Sequence, residues 1–284
     1  MARFDHVALA LHRMTDAWPS LAEALGGRFV SHGQVPGYSW LQLRYASGFT
    51  VETLHPEQIP DDVNPDMPPN PHRSAQGGEF VRRFLDRHGP GVHHITFVVD
   101  DLDAAMTSMA GAGLEPAAVE RSDPEWQEVL YAPHQAHGVM LQLAQTDGSG
   151  LVAGDPPEGF PELGYDHPIA GFGRVVHAVV DLEGAVSLFR DALGGKITST
   201  GAAVDGNHWV ELGWEGPGRL RLLEAASDEM AEFVGGRAGR VRHLYFNFDD
   251  PALLPGARRV AEGRWVVDSD DSLGIRIVIS SALR

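Results

Sequence analysis

The amino-acid sequence predicts an α+β fold built from one βαβββ unit written four times, two units in each half of the chain. Three observations predict it. The segment Glu-Ala-Leu-Gly-Gly-Arg at 23–28 recurs as Asp-Ala-Leu-Gly-Gly-Lys at 191–196, an offset of 168. The apolar strand that begins at His6 recurs at the same offset as RVVHAVV from Arg174. HITFVVDD at 94–101 is echoed by HLYFNFDD at 243–250.

Each unit opens with a strand of six or seven residues. A helix follows, expected from Asp16 to Leu25, Asp101 to Ala112 and Leu182 to Leu193, with a weaker one after Pro251. A glycine near the helix end supplies the stop. Two or three further strands complete the unit, separated by turns such as Val35-Pro36-Gly37 and Ser47-Gly48. The proline-rich stretch 55–76 reads as the connection between units one and two. Residues 146–171, rich in Gly, Pro and Asp and without periodicity, read as the joint between the two pairs. The expected division is 1–148, with modules at 1–54 and 90–148, then a linker at 149–170 and a second pair at 171–284.

The totals bound the function. A length of 284 residues suits two domains, each able to bury a core. Hydrophobic residues at 43% and charged residues at 21% are globular values. There is no cysteine, which excludes disulfides and thiolate metal sites. The formal charge of −17, without a basic cluster, argues against nucleic acid as partner. No apolar run reaches the roughly 20 residues of a membrane span, and the N-terminus reads as a strand, not a signal peptide. A small-molecule substrate, a cytoplasmic location and a monomer or homodimer are the expectations.

Strand alternation places the candidate chemistry. Val7, Leu9 and Leu11 share one face of the first strand, and His6, Ala8 and Ala10 share the other. His94 and Thr96 likewise oppose Ile95 and Phe97. The bulky face should pack under the helix, and the histidine face should line the concave side of a curved sheet. Glu52 and Gln142 lie within apolar last strands, Val-Glu-Thr and Leu-Gln-Leu. A carboxylate buried there needs a partner, and a cation is a natural one. The His-to-oxygen spacings, 46 and 48, match between the units.

The stretch FVRRFLDRHGPGVHHITFVVDDLDAAM, followed by YAPHQAHGVMLQLAQ, resembles methylmalonyl-CoA epimerase and its glyoxalase relatives of the vicinal-oxygen-chelate superfamily. The resemblance is strong over about residues 3–145 and weak over 168–284. It implies four βαβββ modules paired into two cup-shaped mixed β-sheet domains with helices outside. It also implies one divalent metal ion held by His6, Glu52, His94 and Gln142. Zn, Co, Ni, Mn or Fe(II) suits two imidazoles and two oxygens. The implied chemistry is that of a lyase or isomerase stabilising an enolate or enediolate of a small vicinal-oxygen substrate. An extradiol-type Fe(II) dioxygenase and a non-catalytic binding or resistance protein are the alternatives.

The sequence departs from those relatives at the base. Residues 31–42, where the epimerases carry an acidic residue, contain no Asp or Glu. Glu52 and Glu128 remain as catalytic carboxylates. His32, Tyr38, Trp40, Thr96 and His137 are candidate pocket residues. His93 is expected on the face opposite His94, and His12, His55, His72, His88 and His134 in solvated positions. In the second half Arg174 aligns with His6, His243 with His94, Leu222 with Glu52 and Val278 with Gln142, so no metal is expected there. His177 reads as a core histidine. Arg174, His243, Tyr245 and Arg276 leave two readings, an anion pocket or a cup closed by its own side chains, and the sequence favours the second.

Overall fold

A computed structural model describes residues 1–35, 37–56, 79–146, 154–203 and 205–281. Two eight-stranded mixed sheets form it. The first comprises β1 (Ala2–Ala10), β2 (Arg28–Val35), β3 (Tyr38–Arg44), β4 (Thr50–Pro56), β5 (Gly91–Val99), β6 (Ala118–Glu120), β7 (Gln127–Tyr131) and β8 (Met140–Gln145). Its order is β2-β3-β4-β1-β5-β8-β7-β6. The opening strands of the two modules therefore meet at the centre, antiparallel, and each is flanked by its own module's last strand, parallel.

The second sheet repeats this order with β9 (Gly171–Val179), β10 (Lys196–Ala202), β11 (His208–Gly213), β12 (Arg219–Glu224), β13 (Gly239–Asn247), β14 (Arg258–Ala261), β15 (Arg264–Val267) and β16 (Arg276–Ser280). The expected fourfold βαβββ plan is present. The α-helices are α1 (Glu79–His88), α2 (Leu102–Gly111), α3 (Leu182–Ser187) and α4 (Asp228–Val234). The first module's helix is a 3-10 turn, Met14–Ala17, running into a π-helix, Trp18–Ala24. α3 likewise continues as a π-helix, Leu188–Ala192, and the fourth module keeps only a 3-10 turn, Pro251–Leu253.

The repeated double glycine has a steric cause. Gly26 and Gly194 take φ of +68 and +69, the left-handed conformation that ends a helix. A Cβ on Gly27 would stand 2.6 Å from the Leu21 carbonyl, and one on Gly195 2.7 Å from the Phe189 carbonyl. Each chain turn passes too close to its own helix for any larger residue.

The bulky faces of both sheets pack into one continuous core, so the halves share a core instead of holding one each. Phe97 meets Trp214 at 4.8 Å and Phe49 stacks on Phe172 at 4.3 Å, across the halves. The concave faces carry two smaller clusters. Val81 and Leu85 of α1 cover Ala8, Ala10 and Leu54 in the first cup. Met230 and Val234 of α4 cover Val176, Ala178 and Leu223 in the second. These two roof helices were not anticipated. Most of the 55–76 connection lies outside the described residues, as do 147–153 of the linker. No described helix is long and apolar enough to cross a membrane.

Candidate metal centre

Strand pairing brings the four expected side chains to one place. Ala8 faces Glu52 on β4 and His94 on β5, while His6 faces Thr96, and Thr96 faces Gln142 on β8. With alternation, His6, Glu52, His94 and Gln142 share the concave face. Ligand atoms of His6, Glu52 and His94 lie within 4.8 Å of one another, all three residues buried. Glu52 Oε1 stands 3.7 Å from His6 Nε2 and 3.9 Å from His94 Nε2. Thr96 Oγ1, fully buried, lies 2.9 Å from His6 Nε2 and donates to Gln142 Oε1 at 2.6 Å. That contact brings the Gln142 oxygen to the His6 side of the cluster.

Each of the four is held from behind. His6 Nδ1 donates to Asp5 Oδ2 at 3.0 Å. Gln42 Nε2 donates to Glu52 Oε2 at 2.9 Å, and Ser31 in turn donates to Gln42. His94 Nδ1 shares a proton with His93 Nδ1 at 2.9 Å. Gln142 Nε2 donates to Glu128 Oε2. Partners of this kind fix the tautomer and orientation of metal-binding side chains.

The cluster fits a cation. His94 Nε2 is buried without a hydrogen-bond partner among the described residues. With their outer atoms occupied, His6 Nε2, His94 Nε2, Glu52 Oε1 and Gln142 Oε1 turn lone pairs inward, and the Thr96 hydroxyl has one proton to offer them. A divalent ion would satisfy all of them, and the donor set of imidazole and oxygen suits one. The electrostatics of the ion-free chain agree. Burial opposes a charged His6, yet the Glu52 carboxylate and the Asp5 hydrogen bond outweigh it and raise its pKa. Burial, with His93 and His6 alongside, lowers His94 well below the usual imidazole range.

His93 departs from the expected face. A β-bulge between Ala8 and Leu9 breaks the alternation, so Val92 pairs with Leu9 and His94 with Ala8. His93 thereby turns into the cup, buried between Phe80 and Phe84 of α1 at 5.1 and 5.0 Å. Burial brings its pKa down to about 4. Neither His93 nor Asp5, Gln42 or Trp126 was expected at the site. Alternation on β3 could have found Gln42, because it pairs directly with Glu52. A bulge leaves no such mark.

Glu128, on β7, reaches the site beside Gln142. Trp126 Nε1 and Gln142 Nε2 both donate to its Oε2, which leaves Oε1 without a hydrogen bond among the described residues. Burial raises the Glu128 pKa against those two donors. Tyr38 and Trp40 line the roofed end of the cup with α1. His32 does not enter it: Ser31 takes the cup-facing place, and His32 packs near Phe29 on the other side. His137 also lies elsewhere, at the junction of the halves, where its carbonyl accepts from His177 Nε2 at 2.7 Å. His55 is buried, not solvated, with burial lowering it to about 4. His12, His88 and His134 are exposed, and His72 lies outside the described residues.

In the second cup Arg174 pairs with Tyr245 as His6 does with Thr96, and Val176 pairs with His243 and Arg221 as Ala8 does with His94 and Glu52. The residue at the Glu52 position is therefore Arg221, one place before the expected Leu222. The repeat is thus one residue shorter at that strand than the sequence offset implies.

Residues 5–129 match the family model of the glyoxalase/bleomycin resistance protein/dioxygenase superfamily. No curated protein sequence matches the chain. Among solved structures, a triple mutant of 4-hydroxymandelate synthase from Streptomyces coelicolor aligns over 100% of this chain and 94% of its own, at 14% identity and a TM-score of 0.65. A hypothetical protein from Staphylococcus aureus aligns over 99% and 100%, at 11% identity and a TM-score of 0.58. A xylose isomerase-like TIM barrel/4-hydroxyphenylpyruvate dioxygenase fusion protein aligns over 99% of this chain and 49% of its own, at 15% identity and a TM-score of 0.58. At such identities these structures share the fold. The sequence match to that superfamily lies in the first half of the chain, over residues 5–129, and the whole length shares the fold of these structures.

Proposed function

We propose that the first cup is the active site of a divalent-metal-dependent lyase or isomerase of the glyoxalase kind, acting on a small molecule with neighbouring oxygens. The observation that carries this reading is the buried convergence of His6, Glu52, His94 and Gln142, each with its own outer partner. These four residues would hold the ion, and the ion would supply Lewis-acid polarisation of a substrate carbonyl.

The chain's own groups would then handle the proton. Glu128 keeps Oε1 without a hydrogen bond among the described residues while two donors hold Oε2. A fixed carboxylate with one free oxygen can take a proton from carbon beside a carbonyl and return it. Glu52 is less suited, because Gln42 and the two histidines fix it as a ligand. Phe80, Tyr38 and Trp40 supply an apolar wall that keeps water from the reacting face.

A second reading has one specific observation in its favour. His6, His94 and Glu52 alone are the two-histidine, one-carboxylate set of non-haem Fe(II) oxygenases. Gln142 separates the two: a fourth ligand suits the glyoxalase kind, a spectator the oxygenase. The test is elemental analysis of the purified protein beside His6→Ala, His94→Ala, Gln142→Ala and His243→Ala. Metal should fall at least about tenfold in the first two, clearly in the third, and not in the fourth. Full metal retention in His94→Ala would end both readings. Iron with oxygen uptake on catechols, undiminished in Gln142→Ala, would select the oxygenase. The base is tested separately: Glu128→Gln should keep its metal and lose about 100-fold or more in turnover, the usual scale of general-base catalysis.

A further inference from the structure

The second cup repeats the first strand for strand, yet its side chains have the opposite character. Arg174, Arg221, His243 and Val278 stand where His6, Glu52, His94 and Gln142 stand in the first. Two guanidinium groups, permanently charged, cannot share a metal ion. They can take the ion's electrostatic place. Each is stacked on a ring: Arg174 over Tyr245 at 4.4 Å and Arg221 over Trp209 at 3.8 Å. Such stacking fixes the plane of the fork while leaving its N–H edge free.

These two cations share one acid. Arg174 Nη1 donates to Glu211 Oε2 at 2.6 Å, and Arg221 Nη2 approaches the same oxygen at 3.0 Å. The trio keeps a net positive charge. Arg174 Nε is buried with no hydrogen-bond partner among the described residues. Arg276 adds a further guanidinium, with Asp268 at 3.4 Å and its Nε otherwise unbonded. His243 sits among them with no hydrogen bond among the described residues; burial and the charges of Arg242, Arg276, Arg174 and Arg221 hold it neutral, with a pKa down to about 3. A chain of charge −17 thus gathers four of its 22 basic residues around one imidazole. Three carboxylates answer those four cations: Glu211 between Arg174 and Arg221, Glu229 on Arg242 at 2.9 Å, and Asp268, which Arg276 shares with Arg258. A cup closed by its own side chains would pair the charges one for one.

We propose that the second cup is a binding site for a small oxyanion, a carboxylate or phosphate group, held by Arg174 and Arg221 where the first cup gathers its ligands for a cation. The guanidinium fork matches two oxygens of either group. Glu211 already places one carboxylate oxygen on both guanidiniums, so it is the internal competitor of an incoming anion.

The experiment is calorimetric titration of the full chain with malonate and, separately, with inorganic phosphate. Saturable binding of one anion per chain is expected. Arg174→Gln and Arg221→Gln should each weaken it at least about tenfold. Glu211→Gln should tighten it, because the competitor is removed, and His94→Ala should leave it unchanged. Malonate alone, phosphate alone, or both would identify the group recognised. No binding by wild type or by Glu211→Gln overturns the proposal. So does binding that survives both arginine substitutions, or binding lost in His94→Ala, which would place the anion in the first cup. Should the arginine variants fail to fold, judged by circular dichroism, the Glu211→Gln result decides alone: unchanged affinity overturns.

Discussion

His93 and His94 stand with their Nδ1 atoms 2.9 Å apart, which leaves His94 Nε2 as a free lone pair aimed at Glu52. The pair is a tautomer lock: when His94 Nδ1 carries the proton, His93 must accept it. Replacing His93 by Phe keeps the aromatic contact with Phe80 and Phe84 but removes the acceptor. Metal affinity should then fall about 10–100-fold, the usual effect of losing an outer partner. Competition with a metal-binding dye would measure it, and undiminished affinity would remove the role assigned to His93. At this scale the candidate ligands were legible and their supports were not. His6, Glu52, His94 and Gln142 show themselves because each interrupts an apolar alternation. Asp5 and Trp126 interrupt nothing, and His93 reaches the cup only through a bulge.

Among the elements, α1 decides how the first cup is closed. Val81 and Leu85 are buried against Ala8, Ala10 and Leu54, so small residues on β1 make room for a helix as well as for ligands. Leu85→Ala should cost roughly 2–5 kcal/mol by opening a cavity under the roof. Urea denaturation would read it, and a change under about 0.5 kcal/mol, the range of surface substitutions, would mean that the helix is not seated there. α4 repeats the arrangement with Met230 and Val234. The strands and three of the module helices could be read from periodicity and from the double glycines. The roof helices leave no such mark, because they lie between modules, outside the repeated βαβββ order.

Across the whole molecule the halves are fastened by their shared core and by His177. This histidine is fully buried in the second sheet, and its Nε2 donates to the His137 carbonyl of the first half. Burial brings its pKa down to about 4 from 6.5. Between those values the unfolded chain binds a proton that the folded chain refuses, so stability rises with pH across about 4 to 6.5. Acidification through that window should destabilise the protein by up to about 1.4 kcal/mol per pH unit for each such histidine. His177→Gln should flatten the slope of urea stability between pH 7 and 5, measured with a chelator present. An unaltered slope would assign the acid sensitivity to the other buried histidines.

The sequence by itself determined the module, its fourfold repetition and the set of inward-facing donors, because period-two alternation and glycine sterics are local. Only the tertiary structure decided which strands lie side by side. From that follow the outer partners, the roof helices, the junction place of His137, and Arg221 as the counterpart of Glu52. Register is a long-range property: a single bulge or a one-residue slip leaves composition and local pattern almost unchanged, yet it moves a side chain to the other face of a sheet.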